Sequence, residues 1–173
     1  MTAPGQVLFT AGDIAQRVGE LTEAIRRDYA GRPLTIIGVL QGAVAFVGDL
    51  CERLGPQTSA EFIQAASYGD ATAPSCQVAL SWHQTPDLTG RDVLVVDDIA
   101  DTGHTLAAVL REVQAMGPRS VRTCVLLDKP SRRQVAVPLD YCGFVIGNVF
   151  VVGYGLDHAG RYRDLPHIAR LDD

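Results

Sequence analysis

From Thr10 onward, apolar residues recur at Ile14, Val18, Leu21 and Ile25 with polar side chains between them, the three-to-four spacing of one helix face. Thr10 and Asp13 form a capping pair at its start, and Gly31-Arg32-Pro33 stops it. The next segment, Leu34 to Leu40, is nearly all apolar and rich in β-branched residues, which predicts a buried strand. Gly42 follows, and then a helical spacing through Val44, Phe46, Val47, Leu50 and Leu54. Glu61 to Ala66 predicts a second buried strand.

Ser67 to Ser75 is polar, small and interrupted by Gly and Pro, which predicts a mobile loop. Cys76, Val78, Leu80 and Trp82 alternate with Gln77, Ala79 and Ser81, so a half-exposed strand leaves that loop and the two form a hairpin with a lid. Asp92 to Val96 reads as a buried strand, Thr105 to Met116 as a helix and Val121 to Leu127 as a strand. Strand, helix and strand in succession predict an α/β fold with a mainly parallel, twisted sheet flanked by helices. Tyr141 to Ile146 and Val149 to Val152 are short apolar runs broken by Gly and Asn, followed by a mixed stretch from Gly153 to Asp164. These predict a small hood on the same body. No repeat or linker divides the chain, so residues 1–173 read as one domain, a size at which one core buries about 70% of the unfolded surface.

Composition narrows the class. With 20 acidic and 15 basic residues the net charge is −5, which argues against a basic face for nucleic acid or anionic membrane but leaves room for a local basic pocket. Cys51, Cys76, Cys124 and Cys142 are scattered, without the spacing of a zinc ribbon or a disulfide framework, and read as four buried thiols. The start of the chain has no signal-peptide pattern, and Val145 to Leu156 is far shorter than the roughly 20 residues of a membrane span, so a soluble cytoplasmic protein is expected.

The chemistry concentrates in VLVVDDIADTGHTL, Val93 to Leu106. A buried strand ends in two carboxylates, turns through Asp101-Thr102-Gly103-His104-Thr105, and opens a helix. The carboxyl ends of strands are where open α/β sheets bind ligands. The helix N-terminus offers free N–H groups to an anion, and Thr102, Gly103 and Thr105 add hydroxyls and close backbone approach, which suits a terminal phosphate. Asp97 and Asp98 would repel phosphate, so ribose hydroxyls or a hydrated Mg²⁺ are their partners. Asp101 can act on a ligand or cap the following helix, but not both at once.

This string resembles the phosphoribosyl-pyrophosphate signature of type I phosphoribosyltransferases. The chain is further similar to the hypoxanthine-guanine phosphoribosyltransferases at Val39-Leu40-Gln41-Gly42, Ser67-Tyr68-Gly69, Leu126-Leu127-Asp128-Lys129-Pro130, Tyr141-Cys142-Gly143-Phe144, Phe150 to Asp157 and Arg161 to Pro166. The resemblance implies the type I fold with a flexible loop and hood. It also implies transfer of a 5-phosphoribosyl group from phosphoribosyl pyrophosphate to N9 of hypoxanthine or guanine, with Mg²⁺ as cofactor. It assigns Asp97, Asp98, Asp101, Thr102, Gly103, His104 and Thr105 to the phosphoribosyl group, with Asp101 as the base at purine N7. Lys129, Phe150, Val151 and Asp157 fall to the purine, Lys129 at O6 and Phe150 stacked on the ring. Gln41, Gly42 and Arg163 fall to pyrophosphate, Asp157 with Asp97 and Asp98 to the metal, and Ser67 and Tyr68 to the closing loop. The partners implied are phosphoribosyl pyrophosphate, hypoxanthine, guanine and their nucleotides, and further copies of the chain in a homodimer or homotetramer, with the first helix as an interface.

The chain departs from the family at two places. Gln41 stands where Lys is usual, which removes a charge and weakens affinity for phosphoribosyl pyrophosphate. In relatives the peptide bond before this position can be cis, a form costing roughly 3–4 kcal/mol outside proline, so main-chain groups rather than the side chain would do the binding. His158 stands where Tyr is common, which loosens packing around Asp157. A regulator that senses nucleotide while binding nucleic acid is the competing reading on the same fold. The purine-pocket residues, with no basic run or added winged helix, favour the enzyme. Xanthine remains open as a further purine.

Overall fold

The first helix forms where its cap is written. In a computed structural model that describes residues 4–68 and 77–171, the Thr10 hydroxyl accepts from the Asp13 N–H at 3.1 Å and the Asp13 carboxylate accepts from the Thr10 N–H at 2.8 Å. This capping box starts α1, Ala11–Tyr29, whose buried stripe includes Ile14, Val18, Leu21 and Ile25.

The elements after it are β2 (Leu34–Leu40), α2 (Val44–Leu54), β3 (Thr58–Tyr68), β4 (Gln77–Trp82), β5 (Asp92–Ala100), α3 (His104–Ala115), β6 (Ser120–Asp128) and β7 (Tyr141–Val145). The strand before α1 is β1 (Pro4–Phe9), and the chain closes with β8 (Val151–Val152) and β9 (Ile168–Leu171). The main sheet runs β4-β3-β2-β5-β6-β7, parallel except for β4. Helices α1 and α2 pack on one face against Ile36, Leu94, Val96 and Leu126. Helix α3 packs on the other against Ile37, Val39, Val95 and Val125. From β2 the chain builds outward to β3, and from β5 it builds the opposite way to β6, so the order reverses between β2 and β5. That reversal opens a crevice at their carboxyl ends.

Five expectations need correction. Tyr141–Val145 belongs to the main sheet, parallel to β6, and not to the hood. Its glycine does not break the strand: a Cβ on Gly143 would collide with the Leu126 carbonyl, and Arg17 donates to the Gly143 and Cys142 carbonyls at 2.7 and 2.8 Å. The hood is a second sheet, β1-β9-β8, so the N-terminal segment supplies one of its strands. Strand β3 is longer than expected and half-exposed, with Ile63 buried between exposed Glu61 and Gln64, because only the short β4 lies outside it. Of the three described thiols Cys124 is buried and Cys51 and Cys142 are partly exposed, while Cys76 lies outside the described residues.

Ser67 and Tyr68 are the last residues of β3, paired with Val78 and Gln77, not part of a loop. The rest of the expected loop lies outside the described residues. Among the described residues no helix is long and apolar enough to cross a membrane.

Candidate active site

Three strand ends converge on the crevice: Leu40 to Gly42 after β2, the Asp97-to-Gly103 stretch at the end of β5, and Lys129 after β6. The hood adds Phe150, Val151, Leu156, Asp157 and Arg163, and together they enclose a cavity of about 420 Å³.

Burial sets the electrostatics of its floor. Asp97 is 6% exposed, with one carboxylate oxygen accepting from the Asp98 N–H at 2.9 Å. Removal from water pushes both carboxyls above the ordinary carboxylate range, and the adjacent Asp98 charge pushes Asp97 further. The pair presents carboxyl oxygens to the cavity, where they can accept from sugar hydroxyls.

The turn that follows requires glycine. Gly103 is left-handed at φ 92°, and a Cβ there would strike the Val135 carbonyl. Gly103 is also the N-cap of α3 and no side chain caps the helix, so Asp101 does not fill that role. Among the described residues no side chain accepts from the first-turn N–H groups, which lie beside Thr102 and Thr105 on the cavity wall. The Asp101 carboxylate is instead paired with Arg132, 3.0 Å from its Nε.

Across the cavity, exposure reverses what residue type alone suggests. Lys129 is 7% exposed, and burial lowers its ammonium pKa below the usual lysine range. Phe150 is 50% exposed, with its ring edge-on to His158 at 5.4 Å between centroids. A buried cation and an exposed aromatic face on one cavity are arranged for a planar polar ligand.

On the remaining side the Leu40–Gln41 peptide bond is cis. A Cβ on Gly42 would overlap the Asp98 carboxylate, and one on Gly155 would strike the Gly42 carbonyl, so the Asp98 side chain lies against the Gly42 backbone and Gly42 touches Gly155 backbone to backbone. Asp157 accepts from the Gly160 N–H at 2.7 Å and pairs with Arg163 at 2.7 Å, while Arg163 also donates to the Gly155 carbonyl at 2.6 Å.

The family model of the phosphoribosyl transferase domain matches residues 7–159. The hypoxanthine-guanine phosphoribosyltransferase of Mycobacterium tuberculosis is 45% identical over 96% of this chain and 85% of its own. The chain belongs to the hypoxanthine-guanine phosphoribosyltransferase family. The bifunctional protein TilS/HprT of Listeria innocua is 40% identical over 96% of this chain, which spans 26% of that longer protein. A crystal structure of the Bacillus anthracis hypoxanthine-guanine phosphoribosyltransferase, with a HEPES molecule in its active site, aligns at a TM-score of 0.93 and 36% identity over 98% of this chain and 100% of that one.

The phosphoribosyltransferase cavity brings together the residues expected of it except His104 and Ser67 among those whose side chains are described. The His104 ring turns to Gln134, with Nε2 3.1 Å from Oε1, and Ser67 sits on β3 outside the wall. His158 sets its ring edge-on to Phe150, so an aromatic ring still packs at this position.

Sequence reasoning missed Arg132, Arg133, Asp49 and Tyr154. The Tyr154 hydroxyl donates to Asp49, which ties the hood to α2 behind the pyrophosphate loop. The arginine pair stands next to the Lys129-Pro130 motif and was legible as charge; Asp49 carries no local signal.

A phosphoribosyltransferase site implies a divalent metal, and the donor set here fits one held jointly with substrate. Among the described residues no three His, Cys, Asp or Glu side chains could hold a metal by themselves. Asp157 offers partly exposed carboxylate oxygens on the cavity beside the Arg163 guanidinium. One or two carboxylates completed by phosphate oxygens and water is the usual way Mg²⁺ is bound.

Proposed function

We infer that this chain transfers the 5-phosphoribosyl group from phosphoribosyl pyrophosphate to N9 of hypoxanthine or guanine, forming IMP or GMP and releasing pyrophosphate in purine salvage. The observation that carries this reading is the buried Lys129, the exposed Phe150 and the Arg132-held Asp101 on one cavity with the Asp97-Asp98 pair.

The N9 lone pair attacks the sugar C1 as the C1–O bond to pyrophosphate breaks. Asp101 takes the proton that the purine must shed, at N7. Lys129 donates to the exocyclic O6; an adenine amino group would present donors to the same ammonium, which disfavours adenine. Phe150 stacks on the purine, and Val151 meets it through its main chain. Asp97 and Asp98 hold the ribose hydroxyls and stabilise positive charge as C1 becomes oxocarbenium-like. Thr102, Gly103, His104 and Thr105 hold the 5-phosphate at the α3 N-terminus, His104 through its main chain. Gln41, Gly42 and Arg163 bind pyrophosphate. Asp157 would hold Mg²⁺, with Asp97 and Asp98 facing it, and the ion when bound neutralises charge on the leaving pyrophosphate. Ser67 and Tyr68 carry the hairpin that closes over the reaction and excludes water.

We further assign it to the cytoplasm, as one domain assembling into a homodimer or homotetramer; light scattering of the pure chain tests the assembly. The function itself is tested by a product assay with phosphoribosyl pyrophosphate, Mg²⁺ and hypoxanthine, guanine, xanthine or adenine in turn. IMP and GMP are expected, and adenine is left unconverted. No nucleotide from any purine, with salt-dependent binding to RNA or DNA, would instead support the regulator.

A further inference from the structure

We propose that Arg132 is a positioning residue for the reaction: it fixes the Asp101 carboxylate from outside the cavity so that its free edge meets the purine. This rests on the reading of Asp101 as the base. Arg132 Nε donates to Asp101 Oδ1 at 3.0 Å, but Arg132 is not on the wall that Asp101 lines, so it acts on the purine only through that carboxylate. A carboxylate has two oxygens, and engaging one from behind leaves the other to be presented forward.

The platform under Arg132 is built for such a role. It ends a single 3₁₀ turn, Pro130–Arg132, whose flanks are bonded to the loop on both sides of Asp101. The Lys129 N–H donates to the Ala100 carbonyl at 2.9 Å, and the Gln134 and Val135 N–H groups both donate to the Thr102 carbonyl, at 2.9 and 3.0 Å. The neighbouring Arg133 donates to the Asp101 carbonyl at 2.9 Å and pairs with Asp128 at the end of β6. The turn and the base therefore move as one piece, and the guanidinium fork arrives at Asp101 in a fixed direction.

Without Arg132, nothing else among the described residues caps or buries this carboxylate enough to hold it. The Asp101 side chain is 36% exposed, and α3 takes no side-chain cap. Rotation toward water would lower the fraction of molecules with the base in reach of N7. Misplacement of about 1 Å costs on the order of 10²-fold in rate. Lys129 lies close enough for its charge to feel Asp101, so it is the competing tether. The two cations predict different kinetics, because Lys129 also touches O6 and Arg132 touches no substrate.

The test is the first-turnover rate with saturating phosphoribosyl pyrophosphate, Mg²⁺ and hypoxanthine, on Arg132→Ala, Arg132→Gln, Arg132→Lys, Asp101→Asn and the Arg132→Ala/Asp101→Asn double variant. Arg132→Ala and Arg132→Gln are expected to lose about 10-fold or more, Arg132→Lys to recover part of it, and KM for phosphoribosyl pyrophosphate and IMP affinity to shift by less than about 3-fold. The double variant is expected to be no slower than Asp101→Asn alone, because an orienting residue has nothing left to orient. A full-speed Arg132→Ala beside a slow Asp101→Asn would overturn the Arg132 role and leave the base reading standing. An equal further loss on the Asp101→Asn background would also overturn it. An Asp101→Asn enzyme at wild-type speed would overturn the base reading and the proposal together.

Discussion

Strand β5 carries carboxylates at both ends, and they live in opposite electrostatic worlds. At its start Asp92, 2% exposed, accepts from Arg119 and Ser120, with Arg32 at 3.0 Å. Hydrogen bonds from Arg119, the largest effect, hold its pKa far below the ordinary carboxylate range. At its other end Asp97 is buried and Asp98 half-buried beside it, and removal from water drives both upward. The same residue type on one strand is paired with arginines at the end away from the cavity and, among the described residues, has no ion pair at the end that lines it. Groups held in an unfavourable state without ligand are what a binding site needs, and groups fully paired are what a scaffold needs.

The contrast can be broken most severely at the functional end. Asp101→Asn is expected to lower turnover by about 10²–10⁴-fold while the chain still folds and binds nucleotide, measured by rapid-quench kinetics and nucleotide titration. Gly42→Ala, whose Cβ would overlap the Asp98 carboxylate, must displace either that carboxylate or the pyrophosphate loop and should cost on the order of 10² in kcat/KM for phosphoribosyl pyrophosphate. Lys129→Met should raise KM for hypoxanthine about 10-fold or more, as loss of a charge-assisted hydrogen bond does, with KM for phosphoribosyl pyrophosphate little changed.

The smallest effect falls at the scaffold end. Asp92→Asn should leave kcat unchanged and remove about 1–2 kcal/mol, since Arg32 and Arg119 are half-exposed and rehydrate. That corresponds to a drop in Tm of about 2–8 °C. The sign with pH is fixed by the depressed native pKa. The unfolded chain binds the proton first, so Asp92 contributes fully above about pH 4 and its contribution fades as pH falls further toward the native value. The Tm gap between Asp92→Asn and wild type should therefore narrow below about pH 4.

Much of the scaffold was legible because its signals are local. Leu34–Leu40 and Asp92–Val96 are continuous apolar runs, and the Thr10-Asp13 box lies within four residues. The Asp97-to-Thr105 string was legible for the same reason, since anion, hydroxyl and glycine chemistry are packed into nine consecutive positions. The hood was not: Pro4 pairs with Leu171, and neither short strand has a pattern that reveals a partner so far along the chain. Residue type misleads most at Lys129 and Phe150, because burial of a lysine and exposure of a phenylalanine are set by strands β6 and β8 meeting around one cavity. Family resemblance supplied those two, and neither it nor the local pattern supplied Arg132, whose target lies 31 positions away.

The most direct test of the two-ended strand is the thermal midpoint of Asp97→Asn beside that of Asp92→Asn, each paired with turnover in the same buffer at pH 8. Asp97→Asn removes a buried carboxyl that its neighbour repels while keeping the oxygen that accepts from the Asp98 N–H. It should therefore melt at or above wild type while turnover falls at least about 10-fold. An Asp97→Asn chain that melts as low as Asp92→Asn and keeps wild-type turnover would contradict the account.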